Sequence, residues 1–236
     1  MPLLINKPKG YTSHDIVNIV RKKLHTKKVG HAGTLDPLAT GLLIVLVGRE
    51  ETKKQAEFMA GDKEYIAEIT LGKTSVTDDA EGPLQASSDP SNITQVQIEL
   101  ALKKFIGAIK QTPPLYSAIK QHGQPLHRIM RRREKSRDAL QRVSTNEHAD
   151  KMHDGTDNTI TVQPREISIF NIELLEITLP VVKIKVNCSK GTYIRSLARD
   201  IGKELGVGAY LSGLTRTKSG NFSLEQAVSL DDFKNN

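Results

Sequence analysis

Tryptophan is absent, cysteine occurs once, and aromatic residues are confined to five tyrosines and five phenylalanines. The lone Cys188 excludes an intrachain disulfide and any cysteine-rich zinc site. With so few rings the core must be aliphatic, and 236 residues are enough to bury one. No apolar run approaches a membrane span; the longest, "LLIVLV" (Leu42 to Val47), has the length of a buried strand. The opening "MPLLINKPKG" is too short an apolar run for a signal peptide. A reduced, soluble, cytoplasmic protein is expected, and nothing calls for more than a monomer. Several chemistries are missing too. There is no G-x-x-x-x-G-K-[ST] phosphate loop, no G-x-S-x-G elbow, and no H-x-E followed by P-C-x-x-C. The seven histidines show no metal-ligand spacing, so no metal site is expected.

What is present is positive charge, unevenly placed. The chain carries a net +7, yet residues 1–54 hold ten Lys and Arg against four Asp and Glu, and residues 183–220 hold eight against two. The remainder is therefore negative. If the fold brings the two segments together they form one positive face, which suits a polyanion, with nucleic acid the leading class. A merely solvated basic surface would have the same composition.

Along the chain, "LLINKPKG" reads as a strand entering a turn. The next segment, "TSHDIVNIVRKKLHTKK", reads as a helix with Thr12 or Ser13 as N-cap and a basic C-terminal end. A loop, "HAGTLDPLATG", leads into the strand "LLIVLVG". A short helix, a Gly-Asp turn and the strand around Tyr65 to Leu71 follow, then the polar loop "TSVTDDAEGPLQASSDPSN". The pattern of "ITQVQIELALKKFIGAIKQTPP" predicts one amphipathic helix stopped at Pro113-Pro114, and "LYSAIK" predicts a strand. Residues 131–160 hold seven Lys and Arg, six Asp and Glu and hardly any large apolar side chains, which predicts an exposed, partly disordered insertion. Strand runs "REISIFNIELLEI" and "VVKIKVNCS", a helix over "GTYIRSLARDIGKELGVG" closed by Gly206 and Gly208, and a tail strand near "SGNFS" complete the chain. Helices and strands mix without βαβ alternation, so an α+β fold with a largely antiparallel sheet is expected.

Three polar residues stand out against this background. Asp36 precedes Pro37, which bars it from a helix interior and makes it project from a loop. Tyr65 stands on a strand just after Lys63. Arg195 falls in the first turn of a helix, where the dipole disfavours a cation, so it calls for a carboxylate or phosphate partner. Each also has a bland reading: a turn former, a core tyrosine, a surface ion pair.

Together the motifs are more specific. "GHAGTLDPLATG" (Gly30 to Gly41), "KEYIAEITLG" (Lys63 to Gly72) and "CSKGTYIRSLARDIG" (Cys188 to Gly202) resemble, in this order, the three signature regions of the TruB family of tRNA pseudouridine synthases. "LLINKPKGYTSHDIV", "TPPLYSAIKQHGQPLH" and "SGLTRTKSGNF" are similar to further parts of that family, so the likeness covers the chain apart from residues 131–160. The resemblance implies the pseudouridine synthase fold, a central mixed sheet flanked by helices and loops. It implies that a cofactor-free enzyme detaches uracil from ribose, turns it over and rejoins it through C5. In that reaction Asp36 is the nucleophile, Arg195 keeps it ionised, and Tyr65 stacks on the flipped base and serves in proton transfer. By motif position, His31 assists in extruding the nucleotide, Tyr193 and Leu214 line the pocket (with Leu211 as the rival leucine), and Lys7 and Lys63 stand at its rim. The partner so implied is tRNA, entered at uridine 55 of the T-stem-loop, with phosphates held by Lys and Arg.

Many family members continue into a small RNA-binding PUA domain. This chain stops at Asn236, soon after "SGNF", so a single catalytic domain over 1–236 without a PUA domain is expected. Two other readings remain open at this stage: a pseudouridine synthase acting on another RNA stem-loop, and a non-catalytic tRNA-binding or tRNA-folding protein.

Overall fold

A computed structural model of the chain describes residues 2–117, 119–121, 123–132 and 162–235. The strands are β1 (Leu3–Lys7), β2 (Val29–Ala32), β3 (Thr40–Val47), β4 (Lys63–Leu71), β5 (Lys73–Ser75), β6 (Leu84–Ala86), β7 (Gly107–Gln111), β8 (Lys120–Gln121), β9 (Gln124–Pro125), β10 (Arg165–Thr178), β11 (Val181–Cys188), β12 (Ala209–Ser219), β13 (Phe222–Ser223) and β14 (Val228–Ser229). The helices are α1 (Ser13–Lys23), α2 (Arg49–Lys53), α3 (Gln55–Ala60), α4 (Gln95–Lys103), α5 (126–132), α6 (Ile194–Glu204) and α7 (Leu230–Asn235).

Ten strands form one sheet, ordered β14-β1-β3-β12-β4-β11-β10-β7, with β2 on β3 and β13 on β12. Only β1–β14 and β3–β12 run parallel among the pairs with defined registers; β1–β3, β2–β3, β4–β11, β4–β12 and β10–β11 are antiparallel. The expected α+β class with a largely antiparallel mixed sheet is what the chain adopts. Its central strands explain their own composition. Leu42 to Leu46 on β3 are all fully buried, as a strand covered on both faces must be. On α6 the residues Ile194, Leu197, Ala198 and Ile201 fall on one face and pack into the same core as Ile69, Ile184 and Val186. Each such aliphatic side chain contributes about 1.5–3 kcal/mol by leaving water.

Helix α1 begins with a capping box. The Thr12 hydroxyl accepts from the Asp15 N–H at 3.1 Å, and the Asp15 carboxylate accepts from the Thr12 N–H at 2.8 Å. Thr12, not Ser13, is therefore the cap, and Ser13 is released for another task. One expectation is corrected here. The apolar spacing after Thr94 does not continue as a single helix to Pro113: α4 ends at Lys103, and Gly107, at φ +109°, opens strand β7. "LYSAIK" is likewise not a strand over residues 115–117, which form a bend, and β8 starts only at Lys120.

The chain divides into two compact units, Met1–Gln111 with Glu166–Asn236, and Thr112–Arg165. The first holds the large sheet. The second holds the β8–β9 hairpin and α5, where the His127 N–H donates to the Ser117 carbonyl at 3.1 Å. Of the segment 131–160 expected as an insertion, residues 133–160 lie outside the described residues. No helix among the described residues is long and apolar enough to cross a membrane.

Candidate active site

Asp36 sits on the loop between β2 and β3, and the loop is pinned on three sides. The Ser13 hydroxyl accepts from the Leu35 N–H at 2.8 Å and donates to the Leu35 carbonyl at 3.1 Å. The Gly10 N–H donates to the Pro37 carbonyl at 2.8 Å, and the Ala39 N–H closes a turn onto the Asp36 carbonyl at 3.0 Å. The two glycines flanking the carboxylate are needed for conformation and for space. Gly33 and Gly41 hold φ at +89° and +96°, and a Cβ on Gly41 would stand 2.4 Å from the Arg216 carbonyl oxygen. The loop is thus a rigid mount fastened to α1 on one side and to β12 on the other.

The carboxylate meets the partner that the helix-dipole argument demanded. Arg195, in the first turn of α6, places Nε 3.0 Å from Asp36 Oδ2 and Nη1 3.5 Å from Asp79 Oδ2. Its Nη1 also donates to the Thr77 carbonyl at 3.2 Å. Asp79 is itself held, accepting from the Thr77 hydroxyl at 2.6 Å and the Glu81 N–H at 3.0 Å. One turn further along α6, Arg199 pairs with Asp78 at 2.7 Å. The loop from Thr77 to Glu81, which reads in sequence as an ordinary polar connection, is therefore the seat of the arginine.

Exposure separates the three charges. The Arg195 and Asp79 side chains keep 8% and 2% of their surface, whereas Asp36 keeps 39%. Arg195 is thus anchored from behind and presents Asp36 at an opening. Protein on the remaining sides pushes the Asp36 carboxyl above its ordinary value. Arg195 is the largest influence pulling it back down, Lys7 pulls the same way, and Asp79 pushes further up.

Lys7 and Lys63, expected at the rim, are instead interior. Lys7 is fully buried, with Nζ donating to the Pro8 carbonyl at 3.0 Å and the Tyr11 carbonyl at 2.6 Å. Burial drags its ammonium down to about 8, and the Asp36 carboxylate is the main influence against that fall. Lys63 turns into the bend before β4, donating to the Met59 carbonyl at 3.3 Å and to the Gly61 carbonyl. Both ammonium groups are thus engaged by backbone carbonyls of their own segments.

Tyr65 is buried on β4, the central strand, opposite Arg216 on β12. Burial raises its phenol; the neighbouring Arg216 guanidinium opposes that by charge and hydrogen bonding, and the Asp36 charge lies within electrostatic reach. His31, on β2, is half-buried, and its Nδ1 is shielded from solvent without a hydrogen-bond partner. Burial and the charge of Arg216 lower its basicity, so the ring is neutral at physiological pH. Tyr193 is the N-cap residue of α6, and the side-chain amide of Gln111 grips its backbone, accepting from the N–H at 2.9 Å and donating to the carbonyl at 3.1 Å. Leu214 is half-buried, whereas Leu211 is 1% exposed and its backbone is tied to the Asp78 and Ala80 backbones. Of the two leucines, Leu214 is the one with surface to offer.

The fold therefore gathers Asp36, Arg195, Lys7 and Tyr65 into one electrostatic cluster. Four contributors were not singled out from sequence: Ser13, Asp79, Gln111 and Arg216. Only Asp79 left a signal, the paired carboxylates of "TDDAE" in a chain whose helical Arg195 lacked a local partner.

Comparison with known proteins identifies the family of the chain. Residues 21–154 match the model of the TruB family pseudouridylate synthase N-terminal domain, and residues 195–236 match that of the tRNA pseudouridylate synthase B C-terminal domain. A tRNA pseudouridine synthase B from Protochlamydia amoebophila is 44% identical over 228 residues, covering 96% of this chain and 76% of that protein. Its counterpart from Parabacteroides distasonis is 43% identical over 240 residues, covering 98% and 92%. Among solved structures, a chain of a Cbf5-Nop10-Gar1 complex superposes with a TM-score of 0.70 at 30% identity, over 99% of this chain and 53% of that one. This chain thus spans about half the length of that solved relative. The protein belongs to the TruB family of pseudouridylate synthases.

Proposed function

We propose that this protein converts uridine to pseudouridine at position 55 in the T-loop of tRNA, as a cytoplasmic monomer that uses no cofactor and no metal. The observation that carries the reading is the 3.0 Å pair between Asp36 and Arg195, presented at an opening by a pinned loop. Isomerisation needs an ionised carboxylate beside the sugar and base in a site that would otherwise protonate it. Arg195, seated on Asp79 and Thr77, supplies the compensating charge without blocking the free face of Asp36. Tyr65 offers a flat ring for the extracted base and a hydroxyl for proton transfer at C5, and neutral His31 offers a planar wedge for the vacated stack. Tyr193 and Leu214 flank the base. The basic segments at the two ends of the sequence suit the phosphates of a folded stem-loop.

A non-catalytic tRNA-binding protein has no use for a carboxylate that burial opposes and a buried arginine sustains; such tension is characteristic of reacting groups. An RNA other than tRNA is the second reading, and the names carried by the 44% and 43% identical relatives favour tRNA. The test is tritium release from tRNA labelled at uridine C5, comparing the native protein with Asp36→Asn and using a parallel tRNA that carries cytidine at position 55. Release by the native protein from the uridine-55 tRNA alone is expected. Equal release by both proteins, or undiminished release from the cytidine-55 tRNA, would overturn the reading.

A further inference from the structure

Among the described residues, Arg216 is the largest side chain that is fully buried, at 1% exposure. No carboxylate lies within ion-pair distance of it among the described residues. Its Nε donates to the Leu42 carbonyl at 2.8 Å and its Nη2 to the Gly33 carbonyl at 3.1 Å. Those two carbonyls bracket the loop that carries Asp36. On the strand, Arg216 stands opposite Tyr65 on one side and beside Gly41 on the other. Residues directly opposite on paired strands have Cβ atoms roughly 5 Å apart on the same face, close enough for a guanidinium to meet a phenol. A buried cation held only by dipoles is a destabilising arrangement unless something else requires it.

We propose that Arg216 is a positioning residue for the reaction, fixing the Tyr65 hydroxyl to the two ends of the Asp36 loop from inside the sheet. This rests on Tyr65 acting in the isomerisation proposed above. A guanidinium can only donate, so the Tyr65 oxygen can only accept from it. The phenol proton is then directed away from Arg216, and negative charge developing on the oxygen as the proton moves is stabilised. The same group holds the spacing between phenol and carboxylate, because its other donors grip the Gly33 and Leu42 backbone. Burial and the nearby Asp36 charge both push the Tyr65 phenol up; Arg216 is the main influence opposing them.

The experiment replaces the five tyrosines by 3-fluorotyrosine, whose phenol is more acidic, and follows each by ¹⁹F NMR against pH, with Tyr65→Phe to assign the signal. In Arg216→Met the Tyr65 signal should titrate at higher pH than in the native protein. Arg216→Lys keeps the charge, so its titration should stay near native, but it cannot make both carbonyl bonds. In single turnover at saturating protein, T-stem-loop conversion should fall roughly 100-fold in Arg216→Met and about tenfold in Arg216→Lys, with RNA affinity changed less than threefold in either. Folded Arg216→Met with an unmoved Tyr65 titration overturns the proposal, as does a loss confined to RNA affinity. Where Arg216→Met does not fold, Arg216→Lys decides: a native rate overturns the positioning role. Failure of the functional reading looks different, since the native protein itself would then release no tritium.

Discussion

The Ser13 hydroxyl holds the Leu35 peptide at both ends, accepting from its N–H and donating to its carbonyl at 2.8 and 3.1 Å. Leu35 immediately precedes Asp36, so a residue in the first turn of α1 sets where the carboxylate emerges. Ser13→Ala leaves a buried N–H and a buried carbonyl unpaired, which costs roughly 1–3 kcal/mol in denaturant unfolding. The expected kinetic effect is a fall of about tenfold in the single-turnover rate with unchanged RNA affinity, because a small displacement of Asp36 misaligns the reacting atoms without touching the phosphates. A loss that appears only in affinity would contradict this role.

Arg195 couples Asp36 to the buried Asp79. Removing it in Arg195→Met leaves Asp79 uncompensated, with a stability loss of roughly 3–5 kcal/mol. It also removes the main influence that lowers the Asp36 carboxyl. With Asp36 as the proposed nucleophile its protonated form cannot react, so the acid limb of the single-turnover rate should move to higher pH, on top of a roughly 10²–10³-fold loss at neutral pH. Arg195→Lys should recover part of the charge effect but not the two-headed grip. A pH–rate profile whose acid limb is the same in native and variant proteins would show that Arg195 does not tune Asp36.

How far these relationships are legible in the sequence depends on how local they are. The helix at Ile194, the strand at Leu42 and the loop at Pro37 follow from apolar spacing and from proline, and the need for an Arg195 partner follows from the helix dipole. Asp36 as that partner follows from the family resemblance and not from local spacing, and Asp79 follows from neither, since both arrive from distant loops. The run from Thr94 to Thr112 misleads because Leu102, Phe105 and Ile109 keep an apolar spacing compatible with a helix while Gly107, at positive φ, breaks it. Lys7 and Lys63 read as surface cations because nothing near them in sequence shows that backbone carbonyls enclose their ammonium groups. Arg216 lies in "SGLTRTKSGNF", where nothing local distinguishes it from a solvated cation. Only the pairing of β12 with both β3 and β4 turns it inward.

Lys7 gives a stability signature. Its ammonium falls from an ordinary 10.5 to about 8 in the fold. A folded value below the unfolded one means that the favourable contribution is complete above 10.5 and is lost as pH falls through 8. Native stability should therefore rise between pH 8 and 10.5 relative to Lys7→Met, by about 2–3 kcal/mol across that window. Urea unfolding at several pH values measures it. Parallel curves for the two proteins would mean that Lys7 is solvated after all.

Asp36→Asn separates reactivity from stability. The Asp36 carboxyl is raised above its ordinary 3.8 in the fold. For a group raised in this way the favourable contribution is present below 3.8 and is lost as pH rises through the folded value, so at neutral pH the ionised carboxylate works against folding. Asparagine has the same shape and no charge, and Arg195 keeps Asp79 and the Thr77 carbonyl as partners. The variant should release no tritium yet melt higher than the native protein at pH 7.5. The gap should narrow as pH is lowered into the acid range and the native carboxyl takes up its proton. A variant that is inactive and melts lower at pH 7.5 would mean that the Asp36–Arg195 pair holds the fold together. Higher melting with lost chemistry instead marks a carboxylate that the fold retains against its own stability.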